Sequence, residues 1–425
     1  MTEDFLHFIW NYGLFERSGI YACNGEPVEV INTGEHNNNA GPDFLNARIR
    51  IGNTIWAGNV EIHVQSSDWY THGHEKDKAY SNVILHVCLK NNREIYRSSG
   101  ETIPVIELKF NEGIFNNYES LLRKKGLVPC RNSMSNMDSF LPEMWLNSLV
   151  VDRLGEKTDH LASVLKLNNN SWEDTFYIVL ARAFGMGINA QPFEMLAESV
   201  SLRIIKRHRQ SIEHTEALLF GQAGLLEESE SDAAYFYQLQ TTYLHLRHMY
   251  HLKPLDKHLW KFLRLRPVNF PYIRIAQLSA LLYGSDGLFA AVTECNTLDE
   301  LRSLFKVQAS SFWNSHYSFT TSSAESVKYL GESAFQSLVI NAVIPLLFYY
   351  GKLLAKDDIA DRALEWLDTL PAESNRIVRY WHNFPVKAST ALYSQGLLHL
   401  YHHYCIKKRC LACLVGARLI ASKII

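Results

Sequence analysis

Side chains that could hold a metal ion and activate water are concentrated between Asp43 and His86 of this 425-residue chain. Within that stretch, Glu61, His63 and Gln65 alternate with apolar residues. Alternate residues of a β-strand share one face, so the three polar side chains would stand in a row above a buried apolar face. The pattern therefore predicts a strand that presents possible metal ligands on one side.

A hairpin would bring Asp43 close to this row. If Gly52-Asn53 forms a two-residue turn, the runs Phe44–Ile51 and Thr54–Gln65 pair as antiparallel strands. Asp43 then lies one residue from the position directly opposite Glu61. Cross-strand neighbours are about 5 Å apart at Cβ, a separation that lets two carboxylates share one Mg²⁺ or Mn²⁺ ion.

Two carboxylates beside an imidazole suit the cleavage of a phosphodiester. That reaction needs a hard cation to polarise a phosphoryl oxygen and to lower the pKa of an attacking water. Asp43 and Glu61 would hold the ion through oxygen atoms without removing its whole hydration shell. His63 could position the water or take its proton, because an imidazole titrates near neutrality. Gln65, the next residue on that face, could help to orient the water.

This arrangement resembles the core of the restriction-endonuclease-like PD-(D/E)xK superfamily, in which a Pro-Asp pair and a Glu-x-Lys motif lie across a hairpin. The matching positions are Pro42-Asp43 and Glu61-Ile62-His63, within roughly residues 1–110. The resemblance implies that Asp43 and Glu61 are metal ligands and that the third position assists catalysis, although His63 stands where lysine is usual. Over most of its length the chain also resembles domain of unknown function family 2851. The stretches that carry this second resemblance are Gly-Pro-Asp-Phe, Val-Glu-Ile-His, Leu-His-Val and the Cys-rich end.

A second group of possible ligands follows in the sequence at His72, His74 and Asp77. Either histidine could meet Asp77 on one turn of helix, but a zinc site needs three or four converging ligands. We therefore expect these residues to line the rim of the same cleft, where they would contact the substrate or orient Glu61. His86 alternates with apolar residues in a later strand-like run, and we expect it to be a buried histidine in the core or behind the site.

Four of the seven cysteines offer a separate metal site. Cys405, Cys410 and Cys413 have spacings at which thiolates bind zinc or an iron–sulfur cluster, and Cys130 could be the fourth ligand. Some nucleases of the superfamily resembled above hold a cluster with one early and three late cysteines. The same spacing is also compatible with ordinary buried thiols.

Hydrophobic periodicity places the elements that must position these residues. A helix over residues 4–14 precedes strands over 28–31, 44–51, 54–65, 83–89 and 103–108, and Ser66 or Ser67 could cap a short helix before the fourth strand. From Leu141 onward the periodic stretches are helical. We predict an α+β/α multi-domain protein: a restriction-endonuclease-like α/β domain with a mixed sheet at residues 1–120, a connector at 121–140, and a large irregular all-α domain at 141–425 that carries the Cys-rich end.

Composition limits the protein class. With 47% apolar and 20% charged residues the chain is not a disordered one, and 42 basic against 44 acidic residues neither indicate nor exclude a polyanionic partner. An acidic N-terminus does not resemble an export signal, and the longest apolar run, near Leu338–Tyr350, is shorter than the roughly 20 residues of a membrane span. The cysteines then suggest reduced thiols. We expect a cytoplasmic protein that does not enter a membrane.

Two basic segments could contact nucleic acid. Arg264 and Arg266 lie in a run that interleaves cations with aromatic residues, as single-stranded nucleic-acid surfaces do, and Lys206–Arg209 adds another basic run. Each segment could equally be the solvated edge of a helix whose aromatic residues are buried.

The sequence thus points to a metal-dependent nuclease that hydrolyses phosphodiester bonds of nucleic acid. One alternative is a catalytically degenerate module that binds nucleic acid or protein. Another is a metal-dependent hydrolase of a different substrate class. The choice between DNA and RNA and the oligomeric state stay open.

Overall fold

The chain divides into two compact units. The computed structural model describes residues 1–37, 39–134, 140–226, 234–381 and 387–422. The first unit comprises Met1–Trp145 with Asn383–Val386 and Leu400–Ile425, and the second comprises Leu146–His382 with Lys387–His399. An N-terminal mixed sheet is thus followed by a large helical region, an α+β arrangement.

Seven strands of the described residues form the sheet of the first unit: β1 (Ile20–Tyr21), β2 (Pro27–Asn32), β3 (Glu35–His36), β4 (Phe44–Ile51), β5 (Thr54–Gln65), β6 (Val83–Lys90) and β7 (Val105–Glu107). Their order is β1-β2-β4-β5-β6-β7, and β3 pairs with β4. Pairing is antiparallel from β1 to β5 and parallel from β5 to β7. The observed bounds of β4 and β5 equal the predicted ones. The two-residue turn marks the end of β4 and the start of β5, and the run of strand-forming residues indicated the other two ends.

A one-residue bulge interrupts the β4–β5 hairpin. The predicted register holds from Ile51↔Thr54 to Ala47↔Gly58, and it then shifts so that Phe44 pairs with Val60. Asn46 supplies the extra residue in a left-handed backbone conformation, with φ of 58°. A shift by one residue moves a side chain to the other face of the sheet. The bulge therefore brings the side chain of the residue before Phe44 to the face that Glu61 occupies.

Three helices accompany the sheet: α1 (Glu3–Asn11), α2 (Asp68–Thr71) and α3 (Glu112–Arg123). The apolar stripe of α1 is buried, with Phe5, Ile9 and Trp10 fully inaccessible to solvent. Ser67 occupies the N-cap of α2 but makes no side-chain capping bond. The Ser66 hydroxyl instead donates to the Arg93 carbonyl oxygen at 2.7 Å. The prediction that one of these two serines caps the helix through its side chain was therefore wrong.

The second unit is built from helices joined by irregular segments. Within the described residues these helices are α4 (Phe140–Leu167), α5 (Trp172–Phe184), α6 (Ala190–Ser199), α7 (Leu202–Arg207), α8 (Ile212–Gln222), α9 (Ala234–Tyr250), α10 (Pro271–Gly284), α11 (Leu288–Glu294), α12 (Leu298–Leu304), α13 (Glu332–Leu338), α14 (Ile344–Leu353), α15 (Asp357–Thr369), α16 (Arg376–Tyr380) and α17 (Ala391–Leu400). The first residues of α4 and the last residue of α17 belong to the first unit. Large fully buried side chains such as Phe176, Phe220 and Trp313 form the core of the second unit.

A helical stretch over Glu332–Leu353 is long and apolar enough to cross a membrane by length and composition alone. Its most apolar window is 67% buried inside the protein, and Leu338, Val343 and Leu346 have no exposed surface. Core helices of soluble proteins have the same properties, so the stretch is weak evidence for a span. Its burial agrees with the buried helix predicted at Leu338–Tyr350.

The segment after α17 returns to the first unit, contrary to the prediction that the Cys-rich end belongs to the helical domain. Helix α18 (Leu414–Ala421) packs against α3, and the Asn117 amide donates to the carbonyl oxygens of Ile420 and Ser422 at 3.2 and 3.1 Å. The predicted connector at 121–140 is likewise part of this unit. Local periodicity does not reveal such long-range pairing, so the predicted boundaries at 120 and 141 differ from the observed ones.

Substitutions at Asn46 test whether the bulge needs a left-handed residue. We expect Asn46→Val to lower the free energy of unfolding by about 1–2 kcal/mol relative to Asn46→Gly, because a β-branched side chain disfavours positive φ whereas glycine adopts it freely. Asn46 is exposed, so neither variant removes core packing. Urea unfolding of the two variants measures the difference. Equal stability of the pair would show that the bulge does not constrain this position.

Candidate metal centre

Asp43, directly before β4, and Glu61, in β5, each accept a side-chain hydrogen bond from the neighbouring strand or its start. The Asp43 N–H donates to Glu61 Oε2 at 3.1 Å, and the Ile62 N–H donates to Asp43 Oδ2 at 2.9 Å. Continuing the Phe44↔Val60 register by one residue places Asp43 directly opposite Glu61. The bulge therefore removes the one-residue offset expected from the sequence, and the two carboxylates lie on the same face.

Glu61 is buried, with 4% of its surface exposed. Burial is the main cause that raises the pKa of its carboxyl group above the usual range, the nearby His74 opposes the rise, and the charge of Asp43 adds to it. His74 Nε2 lies 3.1 Å and His63 Nε2 lies 3.6 Å from Glu61 Oε1. An ionised Glu61 is thus costly in the protein alone, and a bound cation would offset that cost.

Helix α1 contributes two residues that the sequence interpretation did not single out. His7 Nε2 lies 3.2 Å from Asp43 Oδ2. Burial alone lowers the pKa of His7, but the contact with Asp43 and the charges of Asp43, Asp4 and Glu3 raise it overall. The pKa of Glu3 is raised by burial and also responds to the charges of His72 and Asp43, so Glu3 lies near the same cluster. Glu3 and His7 are four residues apart on one helix, a spacing that would have indicated a shared polar face.

Three histidines form a cluster beside Glu61, and two of them, His63 and His74, lie next to Glu61 Oε1. His63 comes from β5, while His72 and His74 flank Gly73 after α2. Gly73 has φ of 75°, and this left-handed turn lets both flanking rings face the cluster, with ring centroids 5.4 Å apart. His63 Nε2 lies 3.1 Å from His72 Nδ1. Of the two histidines predicted to line the rim, His74 thus contacts Glu61 and His72 contacts His63.

His86 of β6 forms the floor of the cluster. It is fully buried and pairs with Glu61 in the parallel register, and His86 Nε2 shares a 2.8 Å hydrogen bond with His63 Nδ1. Burial, then the neighbouring histidines, lower the pKa of His63 to about 2, and burial with His74 lowers that of His86 to about 3. His63 is therefore neutral at physiological pH. The expectation that it titrates near neutrality is corrected, because burial and three adjacent imidazoles disfavour its charged form.

Two other predicted residues of the first unit make their contacts elsewhere. Gln65 Oε1 accepts a hydrogen bond from the Asn92 amide at 2.8 Å, at the exposed end of β5. Asp77 caps a short 3₁₀ helix by accepting from the Ala79 N–H at 2.9 Å. These geometries give Gln65 and Asp77 local structural contacts. Arg264 and Arg266 belong to the second unit, so their role as cleft residues stays a prediction.

A basic cavity of about 560 Å³ opens beside the carboxylates in the first unit. His7 lines it and also contacts Asp43, which links the cavity to the site. Its cationic residues are Lys407, Lys408 and Arg409, and its aromatic residues are Phe8, Tyr12 and Tyr118. The basic run between the C-terminal cysteines was visible in the sequence, but nothing local indicated that it would meet α1.

The four cysteines of the predicted second metal site are close enough to affect one another. Burial raises the pKa of Cys405, and the thiols of Cys130, Cys413 and Cys410 raise it further. Burial and two of the same neighbours raise the pKa of Cys130 to about 12. All four are free cysteines. Zinc or an iron–sulfur cluster at these thiols stays a prediction, which a metal analysis of anaerobically purified protein would test.

Glu61→Gln tests the cost of the buried charge. Because the folded-state pKa of Glu61 is raised, its ionisation destabilises the protein as pH rises above the pKa of the unfolded carboxyl group. The neutral amide can still accept from the Asp43 N–H, so without metal we expect a gain of about 1 kcal/mol in unfolding free energy at pH 7. The gain should vanish near pH 4, where the carboxyl group is neutral too.

Urea unfolding in a chelator at the two pH values measures this difference. Glu29→Gln is the matched control, since Glu29 is an exposed carboxylate of the same sheet. A Glu61→Gln protein less stable than the parent at pH 7 would contradict the argument.

Comparisons with known proteins place the chain in a family without assigning an activity. No curated protein and no solved structure gives a significant match. A family model does match, and it covers residues 3–376. The chain therefore belongs to the family described as "Protein of unknown function (DUF2851)".

Proposed function

We propose that this protein is a metal-dependent hydrolase of phosphodiester bonds in nucleic acid, built on a restriction-endonuclease-like core. The observation that carries the proposal is the reciprocal contact of Asp43 and Glu61 on one face of the sheet. Paired carboxylates are what a divalent cation needs when it must keep part of its hydration shell.

The order of elements supports the same proposal. Helix α1 precedes the antiparallel strands β2, β4 and β5, and the short helix α2 precedes β6, which runs parallel to β5. The resemblance described from the sequence implies this order, with the two acidic residues on adjacent strands. A restriction-endonuclease-like identity for this unit is thus part of the proposal.

The residues present suit a divalent cation. Asp43 and Glu61 provide oxygen atoms, and the buried Nε2 atom of His74 has no hydrogen-bond partner among the described residues although it lies 3.1 Å from Glu61 Oε1. Asp43 and Glu61 would hold the ion, with neutral imidazoles nearby. A bound Mg²⁺ or Mn²⁺ ion would polarise a phosphoryl oxygen and favour deprotonation of an attacking water.

The protein's own side chains would orient the reacting groups. The raised pKa of His7 favours a protonated imidazolium beside Asp43, which holds that side chain in place. His63 stays neutral because its pKa is about 2, so it does not act as a base. The proton of the water would therefore pass to solvent or to the substrate phosphate.

The basic cavity supplies a path for the nucleic-acid backbone. Lys407 and Arg409 are exposed cations in its lining, and Tyr12 offers an exposed ring on which a base could stack. Phosphates bound there would lie beside His7, which contacts Asp43. Nucleic acid is therefore the substrate class that this surface favours over an uncharged one.

The low pKa of His63 also favours the alternative function, that of a catalytically degenerate binding module. A site with no base at the position where lysine is usual could bind nucleic acid without cleaving it. Binding with no turnover under any divalent cation would identify such a degenerate module. Turnover of a different ester, with none of nucleic acid, would identify a hydrolase of another substrate class.

Nicking of plasmid DNA and of a labelled RNA tests the proposal. We expect cleavage with Mg²⁺ or Mn²⁺ and none in a chelator, and we expect Asp43→Asn and Glu61→Gln each to reduce the rate by about 100-fold or more, because each removes an oxygen ligand. Glu29→Gln should retain the parental rate. If cleavage persists in either site variant, it comes from another site or from a contaminant.

The cavity can be tested separately through binding. We expect Lys407→Gln with Arg409→Gln to weaken nucleic-acid binding and to reduce the slope of log affinity against log salt concentration by about one for each phosphate that is no longer neutralised. Arg48→Gln is the matched control, since Arg48 is an exposed cation of the same unit outside the cavity lining. Fluorescence anisotropy at several salt concentrations gives both values. An unchanged slope in the double variant would exclude this cavity as the phosphate surface.

A further inference from the structure

The histidines beside Glu61 form a cluster in which one nitrogen atom of each ring lies close to the other two. His63 Nε2, His72 Nδ1 and His74 Nε2 all lie within 4.8 Å of one another. We infer that these three histidines, with Glu61 Oε1, form a binding site for one divalent transition-metal ion of the zinc type. The site does not depend on the proposed reaction, although it shares Glu61 with it.

The distances between the four atoms agree with a tetrahedral site. His63 Nε2 is 3.1 Å from His72 Nδ1, His74 Nε2 is 3.1 Å from Glu61 Oε1, and His63 Nε2 is 3.6 Å from the same oxygen. A tetrahedron whose ligand bonds are about 2.0–2.1 Å long has edges of about 3.3–3.4 Å. The observed separations bracket that value without any ligand having to move far.

Hydrogen bonding within the protein accounts for only part of the cluster, since it joins His63 to His72 and to His86. His74 has only 10% of its side chain exposed, and within the described part of the chain its Nε2 atom has no hydrogen-bond partner although Glu61 Oε1 is 3.1 Å away. Distance therefore permits a hydrogen bond that orientation prevents. A cation between the two atoms would accept a lone pair from each, which explains both their proximity and their orientation.

The surroundings hold the imidazole rings as ligands require. His63 Nδ1 faces His86 Nε2 at 2.8 Å, so a proton on Nδ1 leaves the Nε2 lone pair free for a metal ion. The ring of His74 stacks on Tyr80, with centroids 3.8 Å apart and planes at 23°, and contacts Trp69 edge-on.

The donor set selects the chemical class of the ion. Three imidazole nitrogens and one carboxylate oxygen suit Zn²⁺ and neighbouring transition ions, whereas Mg²⁺ prefers oxygen ligands in an octahedron. Asp77, which the sequence offered as a possible partner of His72 or His74, caps Ala79 instead. The two ligands that join His72 and His74 are Glu61 and His63 of β5. The sequence spacing around Asp77 could not indicate them.

Cobalt binding to the full-length protein tests the site. We expect chelator-stripped protein to take up one equivalent of Co²⁺ with the visible absorption of a tetrahedral ion, and Zn²⁺ to displace it. His72→Asn and His74→Gln should each weaken Co²⁺ affinity by about tenfold or more, because each removes one ligand. His258→Asn, at an exposed histidine of the second unit, is the matched control and should bind as the parent does.

Circular dichroism and thermal unfolding of each variant establish that it is folded. His72 is exposed, so its substitution removes a ligand without opening the core. Absence of stoichiometric Co²⁺ uptake, or uptake unchanged in both folded histidine variants, would overturn the site. If the same preparation nicks nucleic acid but takes up no cobalt, this site alone is wrong. Stoichiometric, histidine-dependent uptake supports the site whether or not the protein nicks, and uptake without nicking overturns only the proposed reaction.

Discussion

One extra residue in β4 decides which chemistry the first unit can perform. In a regular hairpin Asp43 would face Ile62, and its carboxylate would lie on the side of the sheet opposite Glu61. The left-handed backbone at Asn46 inserts that residue and reverses the face. The hydrogen bonds that the two carboxylates accept across the strands, and the approach of His7 to Asp43, depend on this local irregularity.

Burial in the cluster destabilises the charged forms of its ionisable groups. Glu61 is buried beside His63 and His86, whose burial lowers their pKa and disfavours their charged forms. Such an arrangement does not favour folding, and an apolar packing of the same volume would generally be more stable. Its presence on the sheet indicates a function that needs those groups.

Alternation and turn chemistry were sufficient to predict β4, β5 and most of their register. The Gly52-Asn53 turn fixes the pairing from Ile51 to Ala47, and apolar residues on the buried face prevent slippage. The bulge was not predictable, because an asparagine adopts a left-handed conformation only occasionally and no turn signal marks it. His7 and His86 were missed or undervalued for a different reason, since their roles arise from elements distant in sequence.

The C-terminal segment has a consequence for the order of events during synthesis. The contact of α3 with the segment that follows α18 joins residues 305 positions apart, and the basic cavity needs both α1 and the Lys407–Arg409 run. A ribosome therefore synthesises the whole sheet, and then the helical unit, before the first unit can close. Until then the nascent sheet and its helices lack the C-terminal segment that packs against them. Their apolar surface is available to chaperones or to incorrect pairing.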